Sequence, residues 1–230
     1  AFLVMCEVII FLTGERAPLF YVTFFAVLVV IFVPHYKFYR VIGAIISVII
    51  IFGIIQINPS AKVRMVDQTI KQVSQTTIPY LPYSPHHEEH YVASLKMFID
   101  KPIFGVGTNT FRIKCKDPKY IYGLESCSSH PHNYYLQSLA ELGIIGFMFL
   151  SSFFLYLLFI GLKQFFYLVI PNREKQKSFE FLLFPMILFI YWWPLIPHMS
   201  LYNNWNNVLI MLPLGYFMRY LYGNSKNGSF

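Results

Sequence analysis

"PLFYVTFFAVLVVIFVPHYKFYRVIGAIISVIIIFGIIQI", residues 18–57, is two apolar blocks joined by a short link that carries Lys37 and Arg40. Each block, Pro18–Pro34 and Phe38–Ile57, is close to the roughly 20 apolar residues that cross the hydrocarbon core of a bilayer. The rest of the chain repeats the pattern in Ala1–Leu12, Tyr134–Phe166, Phe179–Pro197 and Trp205–Leu221. The composition agrees: 56% of the residues are hydrophobic and only 13% are charged, where a soluble domain has about a quarter charged. These blocks predict an all-α fold, a polytopic transmembrane helical protein with one long extracytoplasmic loop. The chain opens on Ala1 inside an apolar stretch, so it is read as the C-terminal part of a longer protein with a truncated first span. The expected organisation is three transmembrane helices in 1–57, an extracytoplasmic loop in 58–131, and three more helices with a cytoplasmic tail in 132–230. Tyr134–Phe166 is too long for one span unless its first turns lie outside the hydrocarbon.

Charge fixes the orientation. Lys37 and Arg40 in one link, Lys163, Arg173, Lys175 and Lys177 in another, and Arg219 and Lys226 in the tail place these three segments in the cytoplasm by the positive-inside rule. Alternation then puts 58–131 outside; a loop of that length is largely exempt from the rule. The net charge of +7 is assigned to cytoplasmic anchoring and an anionic lipid substrate, because no basic run with interleaved aromatics points to nucleic acid.

Inside the loop, "HYVASLKMFIDKPIFGVG" (90–107) spaces Val92, Leu95 and Phe98/Ile99 as a helix stopped by Pro102, and Gly105 and Gly107 read as a tight turn. Cys115 and Cys127 lie in the same outer loop, where an oxidising compartment favours a disulfide, with two free thiols as the alternative. Cys6 lies in a span as packing. "HHEEH" (86–90) has histidines four apart, but His87 stands where a zinc protease motif needs glutamate, so the motif fails and a polar, solvated loop is expected for His86 and His87.

"SSHPHNYYLQSLAELGIIGFMFL" (128–150) passes from a polar loop into membrane. On an ideal helix begun at His132, Leu136, Gly143 and, less closely, Gly146 share a face, and the small residues would admit a second helix. Asn133 is suited to cap the helix N-terminus, whose positive end favours an anion beside the histidine. Glu141, off that face, is read as a packing or interhelical polar contact that is also a functional candidate.

The pattern His132-Asn133, nine residues, Gly143-x-x-Gly146 resembles the O-antigen ligase and O-antigen polymerase family of bacterial cell envelopes. "DKPIFGVGTNTF" (100–111) and "TGERA" (13–17) are similar to two further segments of that family, and the resemblance covers nearly the whole chain. It implies a metal-independent, inverting glycosyltransferase of the inner membrane with its site facing the periplasm and no cofactor. The donor is then a glycan on undecaprenyl pyrophosphate. The acceptor is a sugar hydroxyl, on lipid A–core for a ligase or on another lipid-linked glycan for a polymerase. Membrane lipids, and a chain-length regulator, are the other implied partners. His132 would be the general base and Arg16 would hold the pyrophosphate. The family's second arginine precedes an aromatic residue in the loop helix; here His90 precedes Tyr91. Arg112 is the expected substitute and Arg64 the fallback. His130 would orient the loop or contact acceptor, and Asn133 would cap the helix or donate to the His132 ring. The rival expectations are a transporter or flippase of lipid-linked glycans and a membrane sensor. A transporter would more often show broken helices or charged residues at mid-span, with repeat symmetry; here the candidate groups gather at the outer surface, which favours the enzyme.

Overall fold

A computed structural model describes residues 1–33, 35–74, 84–169 and 179–226. Among them every regular element is helical. The basic residues Arg173, Lys175 and Lys177 used for orientation lie outside the described residues, as does the stretch 75–83 of the outer loop. Two helices, Lys37–Ile57 and Tyr134–Tyr167, are long and apolar enough to cross a membrane, and Phe2–Thr13, Arg16–Phe32 and Leu182–Tyr191 are shorter apolar helices. The chain divides into two compact units, Ala1–Lys71 with Phe159–Tyr191 and Pro213–Phe230, and Gln72–Leu158 with Trp192–Leu212.

In the first unit, α1 (Phe2–Thr13), α2 (Arg16–Phe32) and α3 (Lys37–Ile57) pack on one another. The last carbonyls of α2 would be orphaned at its end. Arg40 Nη1 satisfies one of them, donating to Val33 O at 2.8 Å, and also reaches Val29 O at 3.0 Å, which Val33 N already uses. Glu7, buried in α1, accepts a hydrogen bond from Ser47 of α3. Asn58 ends α3 and caps α4 (Pro59–Lys62), its Oδ1 accepting from Ala61 N at 3.1 Å. A π-helical turn, Val63–Asp67, leads into α5 (Gln68–Ser74). Phe11, Ala61 and Met65 are the core here, with Leu19, Ile51, Ile54 and Ile55 against them. Much of α3 is bare apolar surface: Val48 is 67% exposed and Phe52 64%. Water penalises such a contiguous face and lipid does not.

In the second unit, α6 (Pro85–Asp100) starts at Ser84, whose hydroxyl accepts from His87 N, with Pro85 at the first position. His86 and His87 therefore stand in the first turn of a helix and not in a solvated loop. The helix stops at Asp100, ahead of Pro102 as expected, but its buried face is His90, Tyr91, Ala93, Ser94 and Met97. Leu95 and Ile99 point out. The small and polar side chains face in because they meet the core of Phe111, Cys115, Tyr120 and Ala140. Phe111 and Cys115 come from α7 (Phe111–Lys114) and its C-cap, and Cys115 is bonded to Cys127.

α8 (Tyr134–Val169) breaks at Gly143, with φ 68° and ψ −160°. The loop glycines explain the break. Val106 N donates to Ala140 O (2.8 Å), Gly107 N to Glu141 O (3.1 Å) and Ile144 N to Pro102 O (2.8 Å). A Cβ on Gly105 would strike the backbone of Glu141 and Leu142, and one on Gly143 the backbone of Ile103 and Gly105. So 102–107 is a strap laid backbone to backbone over the break. This replaces the expected seam for a second helix: His132 is not helical, the helical phase is lost at Gly143, and Gly146 abuts Leu142 and Ser138 of its own helix. The apolar, exposed run of α8, with Met148 and Phe149, begins only after the break.

α9 (Phe179–Tyr191) ends well before Pro197, so the expected span Phe179–Pro197 is not one helix. Pro194 and Pro197 cannot continue it, and Trp192–Asn203 runs as a connection within the second unit to α10 (Asn204–Lys226).

Candidate active site

Asn133 caps α8: its Oδ1 accepts from Tyr135 N (3.0 Å) and Leu136 N (3.1 Å), and its Nδ2 donates to Pro194 O (2.8 Å). Among the described residues it makes no hydrogen bond to the His132 ring. His132, just ahead of the cap, takes the left-handed conformation, φ 57°, which is uncommon for a residue with a Cβ. The connection after α9 holds it there. His198 N donates to His132 O at 2.8 Å, and the His198 ring stacks on Tyr134 at 4.3 Å.

Three more imidazoles surround His132. Ring centroids lie 4.1 Å away for His130, 5.3 Å for His87 and 5.6 Å for His90. His130 is committed to the protein: Nδ1 pairs with Ser129 Oγ (2.8 Å) and Nε2 with His198 O (3.1 Å). His87 Nδ1 pairs with Ser84 Oγ at 3.0 Å. His90 is buried, and its Nδ1 has no hydrogen-bond partner among the described residues. The half-buried His132 ring makes no hydrogen bond among the described residues. Burial, then the neighbouring His130, His87 and His90, pushes its pKa down to about 3. Burial likewise lowers His130 and His90, partly offset by the carbonyls of His198 and Ser126. All three rings are thus held neutral, with their lone pairs intact, near pH 7. Among the described residues no three His, Cys, Asp or Glu side chains are arranged to hold a metal ion.

Polar groups below the histidines brace the strap. Glu141 Oε1 accepts from Phe111 N (2.7 Å), and its Oε2 from Gln137 Nε2 (3.1 Å). Gln137 also donates to Ser200 Oγ and accepts from Leu201 N. Glu141 is therefore a polar contact, made to the loop and not to another span.

The arginines fall differently. Arg112 lies on the exposed side of α7, with no hydrogen bond or ion pair among the described residues. In the first unit, Arg16 opens α2 and donates from Nη1 to Thr69 Oγ1 at 3.1 Å. Arg64 lies across Gly14 and pairs with Glu15 at 3.3 Å. Arg16 and Arg64 thus border the same α1–α2 corner.

His87 and His198 were not singled out from sequence for this site, and His90 only as an arginine's replacement. A Ser-Pro pair before "HHEEH" is a helix start signal that brings the first into view. His198 acts here largely through its main chain, which residue identity does not reveal.

These features define an all-helical membrane protein whose polar chemistry is gathered around one histidine at the start of a spanning helix. A family model described as O-antigen ligase matches residues 1–151, well over half of the chain. The chain belongs to that family, whose membrane enzymes act on lipid-linked glycans in ligase- or polymerase-type transfer. No curated protein and no solved structure matches it.

Proposed function

We propose that the chain moves a glycan from undecaprenyl pyrophosphate to a sugar hydroxyl, either on a second lipid-linked glycan or on lipid A–core. The transfer is a single inverting displacement on the periplasmic side of the bacterial inner membrane. The acceptor oxygen forms a bond to the anomeric carbon as the bond from that carbon to the pyrophosphate oxygen breaks. The hydroxyl proton passes to His132, and the carrier leaves as undecaprenyl pyrophosphate with the electron pair of the broken bond. The observation that carries this reading is the neutral His132 ring without a hydrogen-bond partner, presented by a capped helix in a chain of this family. A base of low pKa suffices because the hydroxyl becomes strongly acidic as its bond to carbon forms.

The leaving group needs its charge stabilised. Arg16, at the positive end of α2, is the proposed ligand, with Arg64 beside the same corner. Arg112 is kept as a contact to the glycan or to a phosphate. His130 is a positioning residue, since both ring nitrogens face protein groups. The outer loop from Gln72 onward and the connection after α9, both outside by alternation, belong to one compact unit, which supports the periplasmic placement.

The test is turnover of purified protein with lipid-linked glycan and each acceptor. His132→Ala should lose most turnover while still binding donor, and a chelator should leave the wild type unchanged. Wild-type rates in His132→Ala would refute the assignment of the base. Transport of intact lipid-linked glycan without transfer would favour the flippase.

A further inference from the structure

A buried polar atom without a partner is rare in a folded protein and calls for a reason. His90 Nδ1 is such an atom: it is shut off from solvent, without a hydrogen bond among the described residues. Its ring is only 6% exposed, and it lies near parallel to His132 with the centroids 5.6 Å apart. Because solvent does not reach Nδ1, a substrate hydroxyl does not reach it either without rearrangement. The atom's partner then comes from inside the cluster, from a ring whose N–H becomes a stronger donor when the ring is charged during turnover.

We infer that His90 is a positioning residue for the transfer: its buried Nδ1 accepts a hydrogen bond from His132 once His132 has taken the acceptor's proton. This rests on His132 being the general base. The step balances simply. The proton that leaves the acceptor hydroxyl resides on His132, and His90 receives the N–H of that imidazolium as a hydrogen bond, with no further transfer. Before reaction both rings are neutral. The lone pair of His132 serves the acceptor hydroxyl, its one N–H is on the other nitrogen, and no hydrogen bond joins His132 to His90 among the described residues. After proton transfer that N–H belongs to an imidazolium, and its approach to His90 Nδ1 makes a charge-assisted hydrogen bond. The interaction therefore exists late in the reaction and not in the ground state, which is the kind that raises kcat.

The other rings around His132 are less suited. His130, the nearest, already uses both nitrogens on Ser129 and His198. His87 holds Ser84 at the open start of α6. His198 meets the site through its main chain and stacks on Tyr134. The charged groups that bear on His90 itself are Glu89 and Glu125, with His86. A cation on His132 thus meets a neutral acceptor in His90, whose own neighbours include two carboxylates.

The experiment replaces His90 by Phe, which removes the acceptor, and by Gln, which retains a carbonyl oxygen. His90→Phe should lower kcat about ten- to a hundred-fold, the range of a hydrogen bond to a charged group, with donor KM within about two-fold. His90→Gln should recover a substantial part of kcat. Removing a stranded acceptor from a buried site should leave the unfolding temperature of His90→Phe in detergent unchanged or raised. In protein labelled with 15N at histidine, acidification should move the His132 resonance at lower pH in His90→Phe than in wild type. Wild-type kcat in His90→Phe would overturn the inference, as would equal losses in Phe and Gln variants together with a lowered unfolding temperature. His132→Ala, assayed alongside, separates the two levels: if it turns over normally the base assignment has failed, and if it is dead while His90→Phe is normal only the His90 role has failed.

Discussion

Gly143→Ala would strike the joint between the outer loop and α8. The backbone there, φ 68° and ψ −160°, belongs to a region that costs a residue with a Cβ about 1–3 kcal/mol. The new methyl would run into the carbonyl of Ile103 and the nitrogen of Gly105, so the strap must lift. Lifting breaks the bonds Val106 N–Ala140 O, Gly107 N–Glu141 O and Ile144 N–Pro102 O, at about 1 kcal/mol each. The sum, about 4–6 kcal/mol, is enough to open the strap locally and falls short of many whole-domain stabilities. Gly161→Ala is the control: nothing lies within 4 Å of its Cβ position, and in a helix interior the change should stabilise by about 0.5–1 kcal/mol. Hydrogen exchange at the amides of Val106, Gly107 and Ile144, with transfer activity, is the assay. Gly143→Ala should exchange these amides orders of magnitude faster and lose activity, while Gly161→Ala should do neither. Equal exchange and equal activity in the two variants would refute the account of the strap.

Replacing both Cys115 and Cys127 by Ser should lower activity by about ten-fold, of order 1.4 kcal/mol in the transition state, without changing membrane insertion, as read by fractionation. Asn133→Ala removes the α8 cap and should cost about 1 kcal/mol in unfolding experiments, with an added loss of activity because Pro194 O is released. Arg16→Lys should weaken binding of the pyrophosphate lipid, measured by titration, less than Arg16→Ala does, since lysine keeps charge but not the planar fork. Stability should depend on acid in a defined direction. His90, His130 and His132 all have lowered pKa values, so the unfolded chain binds more protons from about pH 6.5 downward. Unfolding temperature in detergent should fall as pH drops from about 7.5 to about 5, and fall less in His132→Gln.

The helices were readable because apolar runs and helix signals are local. Asn133 as a cap is a property of its side chain and neighbours, and the structure places it there. Gly105 and Gly107 announce a turn, yet nothing in either motif says that the turn lands on Gly143. That pairing is backbone to backbone between segments some forty positions apart in the chain. Helical spacing of apolar residues in α6 does not reveal its buried face. In a unit that presents apolar surface outward, Leu95 and Ile99 are exposed while Ser94 and His90 are buried. The histidine cluster needs α6 to lie over residue 132, a tertiary fact to which a failed zinc motif gives no clue.

The connection after α9 meets the site mostly through its main chain. Trp192 O takes Tyr135 OH, Pro194 O takes Asn133, His198 gives its N–H to His132 and its carbonyl to His130, and Leu201 N–H goes to Gln137. A scaffold made of peptide groups is nearly blind to which side chains it carries and acutely sensitive to how many residues it contains. Across relatives, this segment should drift freely in composition while keeping its length. A single inserted residue would slide every one of these bonds out of register, where most substitutions would pass unnoticed.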